Sequence, residues 1–378
     1  MSLLKRTVNY VEKYGVLDAA KRAFAMLYRR TAGEIKRKRI FYKDNLIHMA
    51  FYPTGGLGDY IISKAVLEEI SSCSKCAVTI YCDKAKFAHA IFRDITEDIW
   101  DYRDFDIDLY KYDLAIKAEH FIHVEVYKKE KIYKYAPELW EKICYILDNQ
   151  KQLYVNIEQQ CYRERIQFER CRVNGLDRWT EQRMGEAFKI ANHHVNVPLD
   201  VAEENRWINE LGATKYVTLN YGADEMIPGK SQLKLWAGDN YEEFVGLIKE
   251  KLLDITVVQL GDSNAPRIKG IDRYIFGESL EYVKYVLKGS MCHIDCEGGL
   301  VHLATQLGTK CIVMFGPTPV HMYGYEQNIN IVSEVCSNCM GLHDMWAYDC
   351  YMGYEGASCM KSITARKVFD ELVKVISV

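Results

Sequence analysis

Two glycine turns constrain this chain more than anything else in it, because each sits between an apolar strand and the start of a helix. The first, Pro53-Thr-Gly-Gly-Leu-Gly-Asp59, follows the apolar run Ile47–Tyr52 and precedes the helical pattern Ile61, Ile62, Ala65, Val66, Leu67, Ile70. The second, Glu297-Gly-Gly-Leu-Val-His302-Leu-Ala, opens a short helix that leads to a strand at Lys310–Phe315 and a further turn, Gly316-Pro-Thr318. Strand, glycine turn and helix together form the unit of a parallel sheet covered by helices. A helix start also presents backbone N–H groups with no partner inside the helix, where negative charge is favoured. The second turn, with His302 one turn into its helix, is therefore a candidate cradle for a phosphate or diphosphate.

Two series of these units follow one another. Ile47–Tyr52, Ala77–Cys82 and Tyr112–Lys117 read as strands of the first, with helices between them, around Pro137–Leu147 and over Trp179–Ala191. Asn196–Thr214 reads as the crossing. The second series has strands over Tyr216–Asn220, Ile255–Leu260, Met291–Asp295 and Ile312–Phe315, and helices over Tyr241–Glu250 and Leu280–Leu287. With 378 residues and 49% hydrophobic content the chain can bury two ordinary cores. The expected organisation is a basic helical extension (1–43), a first α/β domain (44–205), a second (206–362) with a cysteine-rich segment (336–359), and a closing helix (363–378). Two doubly wound halves leave a cleft, and ligands of such sheets lie outside the carboxyl ends of the strands.

A net charge of −3 argues against bulk nucleic-acid binding. The charge is uneven: residues 1–43 carry twelve Lys or Arg against three Asp or Glu, a net of +9, which leaves the remainder near −12. Two readings stand for this basic segment, a surface helix leaning on anionic lipid and a solvated helix packed on the first domain. No apolar run reaches the ~18 residues that span a bilayer, and no secretory signal opens the chain. Thirteen cysteines without a signal point to a reducing compartment, so the expected location is the cytoplasm, with peripheral contact to the inner membrane face as an option.

Three motifs in order, spanning residues 47 to 362, resemble glycosyltransferase family 9, the heptosyltransferase-like enzymes of bacterial surface-glycan assembly. They are Gly55-Gly-Leu-Gly-Asp59, then Lys234-Leu-Trp236, then the Glu297–Ala304 block with Phe315-Gly-Pro-Thr318. The resemblance implies the GT-B fold, two Rossmann-like domains facing across a cleft, the first holding acceptor and the second a nucleotide-sugar donor. It implies inverting transfer of a sugar, most often heptose from ADP-heptose, to a hydroxyl of a glycan, lipid-linked or protein acceptor. Lipopolysaccharide, capsule and protein glycosylation are the pathways it suggests. Other GT-B reactions, such as nucleotide-sugar epimerisation or hydrolysis, and a non-catalytic nucleotide-sugar-binding scaffold are the alternatives.

On this resemblance Asp59 is the general base that takes the acceptor proton, although Asp at a helix start is equally an N-cap. Gly55, Gly56 and Gly58 let a substrate approach the backbone. The donor diphosphate falls to Gly298, Gly299, Leu300, His302, Thr318 and Lys234, with Lys230 as a rival cation. Asn220 and Gly261 end strands that face the same cleft. Three positions depart from the family: Glu297 stands where Asp is usual, Gly298 where Ser or Thr is usual, and Ser263 where a nucleoside-contacting Glu is usual, which leaves the base open. Glu119 and His120 are acceptor-side candidates. His48, His89, His123, His193 and His194 form no ligand or triad pattern, and Cys292 and Cys296 read as small apolar residues.

Cys336-Ser-Asn-Cys339 has the spacing of a metal knuckle, with Cys350 and Cys359 following at irregular intervals. Either the four hold Zn or Fe as a structural ion, or they are reduced thiols. No cofactor is expected for catalysis, since helix dipoles, Lys and His stabilise the leaving group in GT-B transferases.

Overall fold

The computed structural model describes residues 45–118, 122–153, 160–181, 193–211, 214–222 and 232–377, with four isolated positions before residue 25. The basic segment 1–43 otherwise lies outside the described residues, as do Glu119, His120 and Lys230. Among the described residues no helix is long and apolar enough to cross a membrane.

The first sheet contains β1 (Ile47–Pro53), β2 (Cys76–Cys82), β3 (Ile99–Asp101), β4 (Leu114–Ala118) and β5 (Ile122–Tyr127). Their spatial order is β3-β2-β1-β4-β5. In β1, Ile47, Met49, Ala50 and Phe51 are all buried, as expected for a strand covered on both faces. α1 (Leu57–Cys73) and α2 (Ala85–Phe92) follow β1 and β2, and α3 (Pro137–Leu153), α4 (Gln160–Val173) and α5 (Arg178–Glu181) follow β5. The wholly parallel sheet expected from sequence is corrected at one edge, where β5 runs antiparallel to β4. Only three residues separate Ala118 from Ile122, too few for the crossover that a parallel neighbour needs.

α6 (Val201–Leu211) lies inside the stretch expected to be a bare crossing, and the expected boundary at 205/206 falls within it. It belongs with the second half: Trp207 packs edge-on against Tyr216 and Tyr282. Its indole N–H donates to the Tyr216 hydroxyl at 2.9 Å.

The second sheet is parallel throughout. It contains β6 (Tyr216–Asn220), β7 (Thr256–Gly261), β8 (Arg273–Phe276), β9 (His293–Cys296), β10 (Cys311–Phe315) and β11 (Ile329–Val332), in the order β11-β10-β9-β6-β7-β8. α7 (Gly238–Lys251), α8 (Leu280–Lys288), α9 (Gly299–Gln306), α10 (Val320–Tyr323) and α11 (Ala365–Ile376) complete the half. α11 buries Ala365, Val368, Phe369 and Leu372 in the core that also holds Phe244 and Ile248 of α7.

The strand order reverses between β1 and β4 in one sheet and between β6 and β9 in the other. The glycine turn after β1 and the Glu297 turn after β9 both leave strands at these switch points, where α/β sheets take their ligands. One hydrophobic core runs through both halves, joining Leu57, Tyr60 and Ile61 of α1 to Val301, Leu303 and Ala304 of α9.

The crossing is pinned to both halves. Lys64 of α1, fully buried, donates to the carbonyls of Ile91 and Asn196 at 2.7 Å each and pairs with Asp94 at 2.6 Å. Lys284 of α8, also fully buried, donates to Ala90 O at 2.6 Å and Pro198 O at 2.7 Å. Desolvation lowers the pKa of Lys284 to about 8, against the pull of Glu281.

Candidate active site

Two helix starts touch at the middle of the molecule. In the first turn, Gly55 has φ +94°, and a Cβ there would lie 2.2 Å from the Asp59 carboxylate. The turn therefore needs glycine, and it folds the carboxylate back so that Gly56 N–H donates to Asp59 Oδ2 at 2.9 Å. A Cβ on Gly58 would lie 2.4 Å from Cδ2 and 2.9 Å from Nε2 of His302, and one on Gly299 would lie 2.8 Å from Leu57 Cβ. The α1 and α9 starts can approach this closely only because both residues lack side chains. Gly298 differs: its backbone is extended and a Cβ would meet nothing closer than 3.7 Å, so a Ser or Thr would also fit there.

Asp59 Oδ1 receives a second bond, from Arg178 Nη2 at 3.0 Å. Arg178 is 1% exposed and comes from α5, 119 residues along the chain. A buried guanidinium on a carboxylate holds it in the charged form and fixes its direction. Sequence reasoning did not find Arg178; a single Arg in a polar stretch gives no signal of what it will face.

His302 is 4% exposed. Burial drives its imidazole below the ordinary range, and the carboxylates of Glu297 and Asp59 pull it partly back. Tyr323 is partly buried, and burial raises its pKa well above the usual value. The charges it feels are Arg178, Glu297, Asp59 and Glu164 of α4, so these groups share one neighbourhood. Tyr323, Tyr325 and Glu164 also escaped the sequence reading, since aromatic residues in a Tyr-rich chain carry no positional signal.

Lys234 lies 3.7 Å from Glu297, and both are mostly covered. The carboxylate that departs from the family thus offsets the expected phosphate cation. The loop bearing Lys234 is anchored by Trp236, 1% exposed, whose indole N–H donates to Ile363 O at 2.7 Å and whose backbone N–H donates to Cys296 Sγ at 3.2 Å. Thr318, 3% exposed, follows β10 on the same sheet edge, and its hydroxyl has no hydrogen-bond partner among the described residues. A buried hydroxyl without a partner is costly unless a ligand supplies one.

The remaining positions are further from this centre. Asn220 is held inward, its amide donating to Asp295 Oδ2 at 3.1 Å and to Gly222 O at 2.9 Å. Gly261 ends β7 one strand further out and packs towards Ala265 and Phe276. Leu300 is half-buried and packs on the shared core.

The cysteine segment braces the Thr318 turn. Asn338 N–H donates to Gly316 O and Met340 N–H to Pro317 O, both at 2.9 Å, and Arg165 of α4 donates to Asn338 O at 2.7 Å. Cys336, Cys339, Cys350 and Cys359 are all free thiols. Burial pushes Cys359 up to about 12, with Cys336 and Cys339 adding to the rise; burial and then Cys350 and Cys336 raise Cys339. Cys339 thus neighbours the other three, and four cysteines suit Zn or Fe in donor chemistry once deprotonated. Among the described residues no group of three or more His, Cys, Asp or Glu side chains is arranged to hold a metal ion.

No family model matches the chain, and no curated protein matches it. Solved structures do. The chain is similar to the glycosyl transferase family 9 protein of Veillonella parvula DSM 2008 at 12% identity, over 88% of this chain and 97% of that one, with TM-score 0.52. It is similar to E. coli ADP-heptose LPS heptosyltransferase II at 12% identity, over 88% and 99%, with TM-score 0.54. It is similar to the iron-containing dodecameric glycosyltransferase TibC of enterotoxigenic E. coli H10407 at 14% identity, over 88% and 79%, with TM-score 0.56. TibC has also been solved in complex with ADP-D-beta-D-heptose, at 13% identity and TM-score 0.55. These likenesses show the fold: the chain has the GT-B architecture of family 9 structures.

Proposed function

We propose that the chain is an inverting glycosyltransferase that moves a sugar from a nucleoside-diphosphate donor to an acceptor hydroxyl. One observation supports this reading above the rest: the Asp59 carboxylate and the His302 helix start meet across the two halves, at the switch points of both sheets. In the reaction Asp59 takes the proton of the acceptor hydroxyl. The acceptor oxygen bonds to the anomeric carbon as the bond from that carbon to the diphosphate oxygen breaks. The electron pair leaves with the diphosphate, whose growing charge is met by the uncapped start of α9, Lys234 and the Thr318 hydroxyl. Arg178 holds and aims the Asp59 carboxylate, and closure of the two halves excludes water.

Heptose from ADP-heptose is the first donor to try, because two of the similar structures are heptosyltransferases and one holds ADP-D-beta-D-heptose. The acceptor is a glycan, lipid-linked or protein hydroxyl of bacterial surface-glycan assembly or protein glycosylation, reached from the cytoplasm. The basic segment 1–43 is proposed to rest on anionic lipid, and liposome flotation of the full chain against one starting at residue 44 tests this; equal flotation removes it. The four cysteines are proposed to hold a structural Zn or Fe, as the similar TibC is iron-containing, and no reaction step passes through it. The central test pairs a thermal-shift screen against ADP-, GDP-, UDP- and CDP-sugars with transfer by Asp59→Asn. Loss of transfer by about 10²–10⁴-fold is expected. Normal transfer by the variant refutes the assignment.

A further inference from the structure

The hydrogen bonds around His302 fix where its proton sits. Nδ1 of the ring lies 2.6 Å from the hydroxyl of Tyr325, which is 1% exposed. That contact alone is ambiguous, because either group can donate. The other partner of Tyr325 resolves it. Trp179 Nε1, which can only donate, points its N–H at the Tyr325 oxygen at 3.2 Å. Among the described residues no acceptor other than His302 Nδ1 lies within hydrogen-bond distance of the Tyr325 hydroxyl. The phenol oxygen thus accepts the Trp179 N–H, and its own buried O–H has only His302 Nδ1 to serve. Nδ1 is an acceptor, so the neutral ring carries its proton on Nε2.

We propose that Tyr325, held by the Trp179 N–H, is a positioning residue that locks His302 as the Nε2–H tautomer. The Cδ2–Nε2 edge is the one that faces Gly58, at the start of α1. The single ring proton is therefore presented to the gap between the halves, beside Asp59. Burial, which keeps the ring neutral, is consistent with this. Resting on the transferase reading, the consequence is that His302 meets the departing diphosphate as a fixed donor that needs no reorientation. The supports come from both halves: Trp179 from α5 and Tyr325 from the segment just after α10. The tautomer is thus a property of the assembled pair of halves.

The test uses the full chain labelled with 15N-histidine, reading two-bond 1H–15N correlations and assigning His302 by comparison with His302→Gln. The wild type is expected to show Nε2–H alone. Tyr325→Phe, which removes the donor to Nδ1, is expected to show a mixture with Nδ1–H. Trp179→Phe removes the N–H donor to the phenol and shifts the ratio less. A wild-type ring protonated on Nδ1 overturns the proposal, and this outcome needs only the His302→Gln reference for assignment. An unchanged tautomer in Tyr325→Phe overturns it too. In transfer assays kcat of Tyr325→Phe is expected to fall about tenfold with little change in KM, well short of the ~10⁴ that a wrong tautomer costs a general base. A changed tautomer with unchanged transfer leaves the hydrogen-bond relay standing and removes His302 from the proposed reaction.

Discussion

The contact between Gly58 and His302 can be tested by adding one methyl group. In Gly58→Ala the new Cβ would sit 2.4 Å from His302 Cδ2, where ordinary contact begins at 3.4 Å, so about an ångström must be found. The ring cannot swing away cheaply, since it is buried and held by Tyr325 at 2.6 Å. The other route is to push the two helix starts apart. Inserting a group into a packed core costs about 1–3 kcal/mol. Replacing glycine by alanine in a helix returns about 0.5–1 kcal/mol, and less in the first turn. The net expectation is a loss of about 1–2 kcal/mol, or roughly 1–3 °C in Tm for a chain of this length. Gly246 provides the control. It sits on the exposed side of α7, and a Cβ there meets nothing within 4 Å. Gly246→Ala should therefore gain about 0.5–1 kcal/mol. Differential scanning calorimetry of the three proteins under one buffer compares them. If Gly58→Ala melts at or above the wild type while Gly246→Ala rises as expected, the α1 and α9 starts are not in contact in solution.

Three further outcomes are expected. Lys284 has a folded pKa of about 8 against 10.5 when unfolded, so between those values the unfolded chain binds a proton that the folded chain lacks, and stability rises with pH. Urea titrations at pH 8.5 and 9.5 should show the wild type gaining about 1 kcal/mol more than Lys284→Met over that interval, and equal gains contradict the burial of a depressed lysine. Lys234→Ala should weaken ADP binding by about tenfold, the order of one lost charge-assisted bond. Glu297→Gln, which removes the carboxylate 3.7 Å away, should tighten it a few-fold; calorimetric titration with ADP settles both, and weaker binding by Glu297→Gln refutes the offset. Metal analysis of purified protein should find Zn or Fe, with most of it gone in Cys339→Ser; equal content in the two proteins removes the structural ion.

The long apolar strands were legible because burial on both faces forces continuous runs, as in Ile47–Phe51 and Cys311–Phe315. The glycine turns were legible because a positive φ at Gly55 and the close approach at Gly58 admit no other residue. The short edge strands β3, β8 and β11 were not found, since three or four half-buried residues give no period to count. β5 did carry a signal: Ile122-His-Val-Glu-Val-Tyr127 alternates apolar with polar, as a half-exposed antiparallel strand should. α6 was missed because its apolar face is narrow, with only Trp207 and Leu211 buried. At the centre, Asp59, Glu297, His302, Lys234 and Thr318 were named from motifs. Arg178, Trp179 and Tyr325 were not, because their meaning lies in partners more than a hundred positions away in the chain.

The pinned crossing bears on whether either half could live alone. Cutting the chain within residues 193–198 would leave the first fragment with Lys64 still neutralised by Asp94 but short of one carbonyl. The second fragment would keep Glu281 and Pro198 O for Lys284 yet lose Ala90 O. Each piece thus keeps a carboxylate and one carbonyl for its lysine and gives up one carbonyl, while both uncover the apolar face that packed on the mate. Co-expression of the severed pieces is where a functional split version of this protein should be sought.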